Sequence, residues 1–202
     1  MLQRPWTLRF DPSGTGVLWT ELFFEMHLNL GYRQLAMENR KTEEVPRFKK
    51  IDHIAIAVKD LDEAINFYEN VLGFQLVRRL KITGRSTGMI SAEMEYNQIK
   101  FVLCQGTEAG SQVSKLIDNY GPGVAHIAIA VEDAKATMAE LKTRGLEFDT
   151  TLIEGAGLKQ VFSGRDKNSG ISFEFIERDG QEGFLQSNVN ELFAQLEDSG
   201  AY

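Results

Sequence analysis

His53-Ile-Ala-Ile-Ala-Val58 and His126-Ile-Ala-Ile-Ala-Val131 are the same hexapeptide, occurring twice in a chain of 202 residues. Each copy is followed by an acidic turn and then by apolar residues at helical spacing. Within each hexapeptide alternation puts the histidine and both alanines on one face of a strand and the isoleucines on the other. An imidazole that opens an apolar strand needs a partner, and these are two of only three histidines in the protein. One buried histidine reads most simply as a group hydrogen-bonded to backbone. Two at equivalent positions of an internal repeat read as ligands of one shared metal, since imidazole nitrogen suits Fe, Zn, Cu and Ni.

The repeat extends outward from the hexapeptides. Asp60 and Glu63 have capping-box spacing, Leu61, Ala64, Ile65, Tyr68 and Leu72 give a helical stripe, and Gly73 is placed to cap it. Phe74–Ile82, Gly88–Tyr96 and Ile99–Gln105 read as three strands, the last two joined by a turn at Asn97-Gln98. After a connecting helix over Ser111–Tyr120 the order recurs. Ala134, Met138 and Leu141 give the helix, Gly145 its cap, and strands are expected near Glu147–Ile153, Gln160–Gly164 and Ile171–Ile176. The fold class is therefore α+β: two β-α-β-β-β modules, 51–105 and 124–178, pairing into an open barrel-like sheet around a metal site. Together with a C-terminal helix over 188–197, begun by a capping box at Asn188 and Glu191 and lying as a lid, they make up a domain over 51–202.

Residues 1–50 read as an arm and linker, with turn-rich starts, an aromatic run over Trp19–Leu30, and a charged end broken by Pro46. The arm's apolar content implies that it packs on the main domain or on a second subunit, the latter giving a homodimer through residues 1–50. His27 lies within it and reads as structural rather than as a ligand.

Composition narrows the function. A net charge of -7 argues against a nucleic-acid surface, which requires clustered cations. No apolar run approaches the roughly 20 residues of a bilayer span. Met1–Pro12 lacks the pattern of a signal peptide, and the single Cys104 cannot form an internal disulfide, so the expected compartment is cytoplasmic. The expected partner is a small molecule, not nucleic acid or membrane.

A third metal ligand should be a buried anion. Glu174, inside Ile171-Ser172-Phe173-Glu174-Phe175-Ile176, is a carboxylate in an apolar strand, costly unless paired or metal-bound. Counted forward from each histidine, the position that Glu174 holds after His126 is held after His53 by Phe101, which binds no metal. Two histidines and one carboxylate would leave coordination positions open, as in non-haem Fe(II) oxygenases. A shift of register could instead bring Gln98 or Gln105 into the site as a fourth ligand.

At these residues the chain resembles the vicinal oxygen chelate superfamily. Within it, Ile51–Phe193 is similar to the catalytic C-terminal domain of the 4-hydroxyphenylpyruvate dioxygenase and hydroxymandelate synthase family. The matching pieces are Ile51-Asp52-His53, Phe67-Tyr68-Glu69, Thr87-Gly88 with Ser91, Gly121–His126, Gln160-Val161-Phe162, and Phe173-Glu174-Phe175-Ile176-Glu177-Arg178 followed by Gly183-Phe184 and Asn188. The resemblance implies an enzyme in which His53, His126 and Glu174 hold Fe(II), or alternatively Co, Mn, Zn or Ni. It implies a 2-oxo acid chelated through its carboxylate and keto oxygens, then oxidatively decarboxylated with O2 and hydroxylated. Ser91, Gln112, Gln160 and Asn188 would be polar substrate-binding residues, Phe162 and Phe184 the aromatic lining of the pocket, and the last helix its lid. The chain departs from the family at Cys104, Ala125, Ser172 and Val189, which removes two amides and two rings, so the metal site transfers more directly than the substrate. Two other classes stay open. The run Ile51–Val58 also resembles methylmalonyl-CoA epimerase, an enzyme with four protein ligands that uses no O2, and the same fold serves non-catalytic binding proteins.

Overall fold

The computed structural model describes residues 47–180 and 183–199. The reading of residues 1–46 as an arm, His27 included, lies outside the described residues. No helix among the described residues is long and apolar enough to cross a membrane.

The first module runs β1 (Phe48–Ala57), α1 (Leu61–Asn70), β2 (Gln75–Thr83), β3 (Gly88–Tyr96) and β4 (Ile99–Gly106). Helix α2 (Gln112–Tyr120) leads to the second: β5 (Gly123–Val131), α3 (Ala134–Thr143), β6 (Ile153–Gly155), β7 (Leu158–Phe162) and β8 (Ser172–Arg178). Helix α4 (Gln186–Ser199) follows. The strands form one mixed sheet in the order β2-β3-β4-β1-β5-β8-β7-β6, curled into a half-barrel. Each half has one parallel pair, β1 with β4 and β5 with β8, and the halves meet along antiparallel β1 and β5. The two-module reading holds.

Local sequence signals explain the elements. The Asp60 carboxylate accepts the Glu63 N–H at 2.9 Å and the Asp133 carboxylate accepts that of Ala136 at 2.8 Å, so each module helix begins on an aspartate cap. Gly73 and Gly145 carry positive φ just beyond those helices, where an L side chain would be strained. The isoleucines of the hexapeptides turn to the helix-covered face, Ile56 against the cluster of Leu61, Ile65, Met94 and Leu103, and Ile129 against that of Val131, Val161 and Phe175. Ala55, Ala57, Ala128 and Ala130 are buried on the other face. Their small side chains leave room there for a site.

Phe48–Lys50, read as the end of the linker, open β1, and two further expected elements differ. The strand expected over Glu147–Ile153 is reduced to β6, with only a single bridge from Phe148 to Ser163 before it. The Thr150 hydroxyl accepts the Phe162 N–H at 3.0 Å, and the Gln195 side chain accepts the Thr151 N–H at 2.8 Å. Side chains thus take bonds that a ladder would need. The last helix begins at Gln186, two residues before the expected cap. Asn188 does not cap it; its buried amide donates to the Leu158 carbonyl at 3.2 Å and fastens α4 to β7. The apolar stripe of α4 spans both modules, Val189 and Phe193 packing with Met89 and Cys104, Leu192 and Leu196 with Ile153 and Phe162.

Candidate metal centre

His53 and His126 start from antiparallel β1 and β5, where His53 pairs with Ala128 and Ala55 with His126. This diagonal brings both imidazoles to the middle of the same face. β8 runs parallel to β5 and sets Glu174 beside Ala128. Three groups far apart in the chain therefore converge. His53 Nε2 and His126 Nε2 are 3.4 Å apart, and Glu174 Oε2 lies 3.2 Å from the first and 3.3 Å from the second.

Such a triangle can be held by a proton or by a metal. His53 and Glu174 are almost wholly buried, at 3% and 1% exposure. Burial would lower the His53 pKa, but the carboxylates of Glu174 and Asp52 outweigh it and carry it up to about 9. Burial would raise Glu174, and the two imidazoles bring it down to about 2. His126 is lowered, chiefly by burial. Both Glu174 oxygens are nonetheless buried without a well-angled hydrogen bond. Two ligand atoms about 2.1 Å from one ion stand about 3.0 Å apart at right angles and about 3.4 Å apart at the tetrahedral angle. The three atoms fall in that range, so the residues present fit a single metal ion.

A ligand imidazole is usually steadied through its other nitrogen. Here the His53 Nδ1–H donates to Asp52 at 2.9 Å, and Arg178 donates to both oxygens of that carboxylate at 2.9 Å each. Burial opposes Asp52's charge, yet the bonds from His53 and Arg178 hold its carboxyl well below the usual range. Asp52 and Arg178 stand within the family-like motifs, and sequence reasoning assigned them no role. A carboxylate beside the histidine was the one available signal.

The cleft above the triad holds about 410 Å³ of empty space, part of it open to solvent. Ser91, Gln160, Phe162 and Phe184 line it. Phe184 packs edge-on against His53 at 4.9 Å between ring centroids, and Phe162 against His126 at 5.2 Å. Gln112 and Asn188 do not line it. The Gln112 amide donates to the Phe193 carbonyl at 3.3 Å, and Asn188 holds Leu158 as described. Of the four departures, Cys104 and Val189 line the cleft and Ala125 and Ser172 do not. Burial pushes the Cys104 thiol up to about 12, and Cys104 does not join the cluster of His53, His126 and Glu174.

The register corrects one assignment. Glu174 pairs with Ala128, two residues past His126, and the residue paired with Ala55, two past His53, is Val102. Val102 therefore takes the place of Glu174 in the first module, and it lines the cleft. Phe101 turns to the opposite face and packs on Tyr68 and Phe74. The first module is one residue longer between the two positions, and one residue reverses the face of a strand. Gln105 accepts the Leu61 N–H at 2.7 Å and Gln98 is exposed at the β3–β4 turn, so neither reaches the triad.

The model of the Glyoxalase/Bleomycin resistance protein/Dioxygenase superfamily matches residues 50–175. A 4-hydroxyphenylpyruvate dioxygenase of Pseudomonas aeruginosa is 30% identical over 73% of this chain and 52% of its own. The chain spans about half the length of the curated relatives it matches. Among solved structures, a variant of 4-hydroxymandelate synthase from Streptomyces coelicolor shares the fold with a TM-score of 0.67 at 22% identity, covering 74% of this chain and 54% of that one. A methylmalonyl-CoA epimerase variant from Streptomyces coelicolor gives 0.59 at 25% identity, covering 68% and 100%. With the matched stretch taking in both modules, the chain belongs to the glyoxalase/bleomycin resistance protein/dioxygenase superfamily.

Proposed function

We propose that the protein is an Fe(II)-dependent dioxygenase that oxidatively decarboxylates a 2-oxo acid and hydroxylates the product. The observation that carries this reading is the asymmetry of the site: His53, His126 and Glu174 converge, and Val102 stands where a fourth ligand would complete the set. Iron held by two histidines and a carboxylate supplies O2 activation and a seat for a bidentate substrate. The chain's own residues do the rest. Asp52 keeps the proton of His53 on Nδ1 and leaves Nε2 free to act as a donor atom. Phe162 and Phe184 flank the imidazoles and keep water from the reacting end of the substrate. Leu80, Met89, Cys104, Val189 and Leu192 offer an apolar wall to its side chain. Ser91 and Gln160 are the neutral polar groups available to orient it.

The epimerase reading shares the fold but needs four protein ligands, and neither candidate glutamine lies at the triad. Oxygen uptake by the iron-loaded protein across a panel of 2-oxo acids tests the choice. Uptake matched by CO2 release on at least one acid is expected. An iron-loaded protein that consumes no O2 with any of them, and epimerises a CoA thioester instead, would overturn it.

A further inference from the structure

Arg178 lies four residues beyond Glu174 at the end of β8, and its guanidinium touches three parts of the site. Nε and Nη2 donate to the two oxygens of Asp52, which in turn accepts the Nδ1–H of His53. Nη1 donates to the Gly183 carbonyl at 2.9 Å. The guanidinium carbon stands 5.3 Å from the ring centre of Phe184, the ring packed edge-on against His53. From Phe184 the chain runs directly into α4.

We infer that Arg178 is a positioning residue that ties the orientation of His53 to the placement of the cleft wall at Gly183–Phe184. The inference rests on the metal-site reading above and names what keeps that site in shape. A single hydrogen bond to a carboxylate leaves its plane free to turn. A bidentate guanidinium fixes that plane, and with it the ring plane and tautomer of the imidazole. The same planar group has a donor left for Gly183 and a flat face left for Phe184, whereas an ammonium has donors but neither the fork nor the face. A Cβ at Gly183 would come within 2.7 Å of Arg78 Nη2, the end of a flexible side chain, so a larger residue there would displace that guanidinium. One side chain thereby sets both a ligand and the surface beside it.

Titration of the metal-free protein with Co(II), followed by its visible absorption, tests this without relying on turnover. Arg178→Lys keeps the charge and loses the fork. It should bind Co(II) roughly 10- to 100-fold more weakly than the parent, with an altered spectrum, while circular dichroism shows the fold intact. Unchanged affinity and spectrum in a folded Arg178→Lys protein would overturn the inference and leave the metal site standing. Absence of Co(II) binding by the parent protein would overturn the metal site itself, and the inference with it. If the variant does not fold, the parent decides by NMR in its Zn(II)-loaded form. The His53 Nδ1 proton should exchange with solvent far more slowly than the ring N–H of His126, and equal rates would overturn the inference.

Discussion

Val102 and Glu174 occupy the same place in the two modules, each paired in a parallel ladder with the alanine two residues beyond its module's histidine. One is a hydrocarbon and the other a carboxylate, so a nearly two-fold scaffold carries a one-sided site. Val102→Glu tests what the difference does. A second carboxylate there would stand half-buried in the cleft beside the triad, where a metal held by the triad would draw it in as a ligand. The variant is expected to keep its metal and lose O2 uptake at least tenfold, because the added ligand fills an open position. Undiminished uptake at full metal content would contradict this.

A metal at the triad would compete with protons for the same ligand atoms. In the metal-free chain the carboxylates of Glu174 and Asp52 outweigh burial and push the His53 pKa up from 6.5 to about 9. A raised pKa contributes stability that is complete below pH 6.5 and is lost as the pH climbs to about 9. His126 and Glu174, both shifted downward, change little in that interval. With chelator present, unfolding free energy should therefore fall as the pH rises from 6.5 to about 9. Metal affinity should rise over the same interval, since the metal takes the deprotonated imidazole. Urea melts at stepped pH measure the first, and a flat profile would contradict it.

The C-terminal helix is clasped over the cleft by its own acidic end. The Glu197 carboxylate accepts the N–H groups of Arg85 and Thr87 at 2.8 and 2.9 Å and the Thr87 hydroxyl at 2.6 Å. Arg85 also reaches Asp198 at 3.0 Å. On the second module, Gln195 holds Thr151. These bonds are partly solvated, so Glu197→Ala should cost about 1 kcal/mol and lower the Tm by about 2–4 °C. Hydrogen exchange in α4 should quicken while Co(II) affinity stays as in the parent. Unchanged exchange in α4 would show that the clasp does not hold the helix.

Much of this was legible in the sequence because its signals were chemical misfits. A histidine at the head of an apolar strand, recurring in a second copy of the same hexapeptide, and a glutamate inside Phe173–Ile176 pointed to one buried centre. The structure brings all three within hydrogen-bonding distance. What sequence could not resolve were questions of face and of partner. Counting from His53 led to Phe101, and one extra residue moved the equivalent position to Val102. Gln112 and Asn188 are amides of the kind that line pockets, yet each is spent on a backbone carbonyl, a choice set by where α2 and α4 pack. Thr150 looked like a strand residue, and its hydroxyl replaced a ladder bond. Asp52 and Arg178 stand in different modules, a separation at which no local pattern operates.

The central claim is that His53, His126 and Glu174 together hold one iron. Purification without oxygen, followed by metal analysis of the parent and of His126→Ala, tests it most directly. The account predicts one iron per chain in the parent and none in the variant, with the fold retained by circular dichroism. Stoichiometric iron in the folded His126→Ala protein would contradict it.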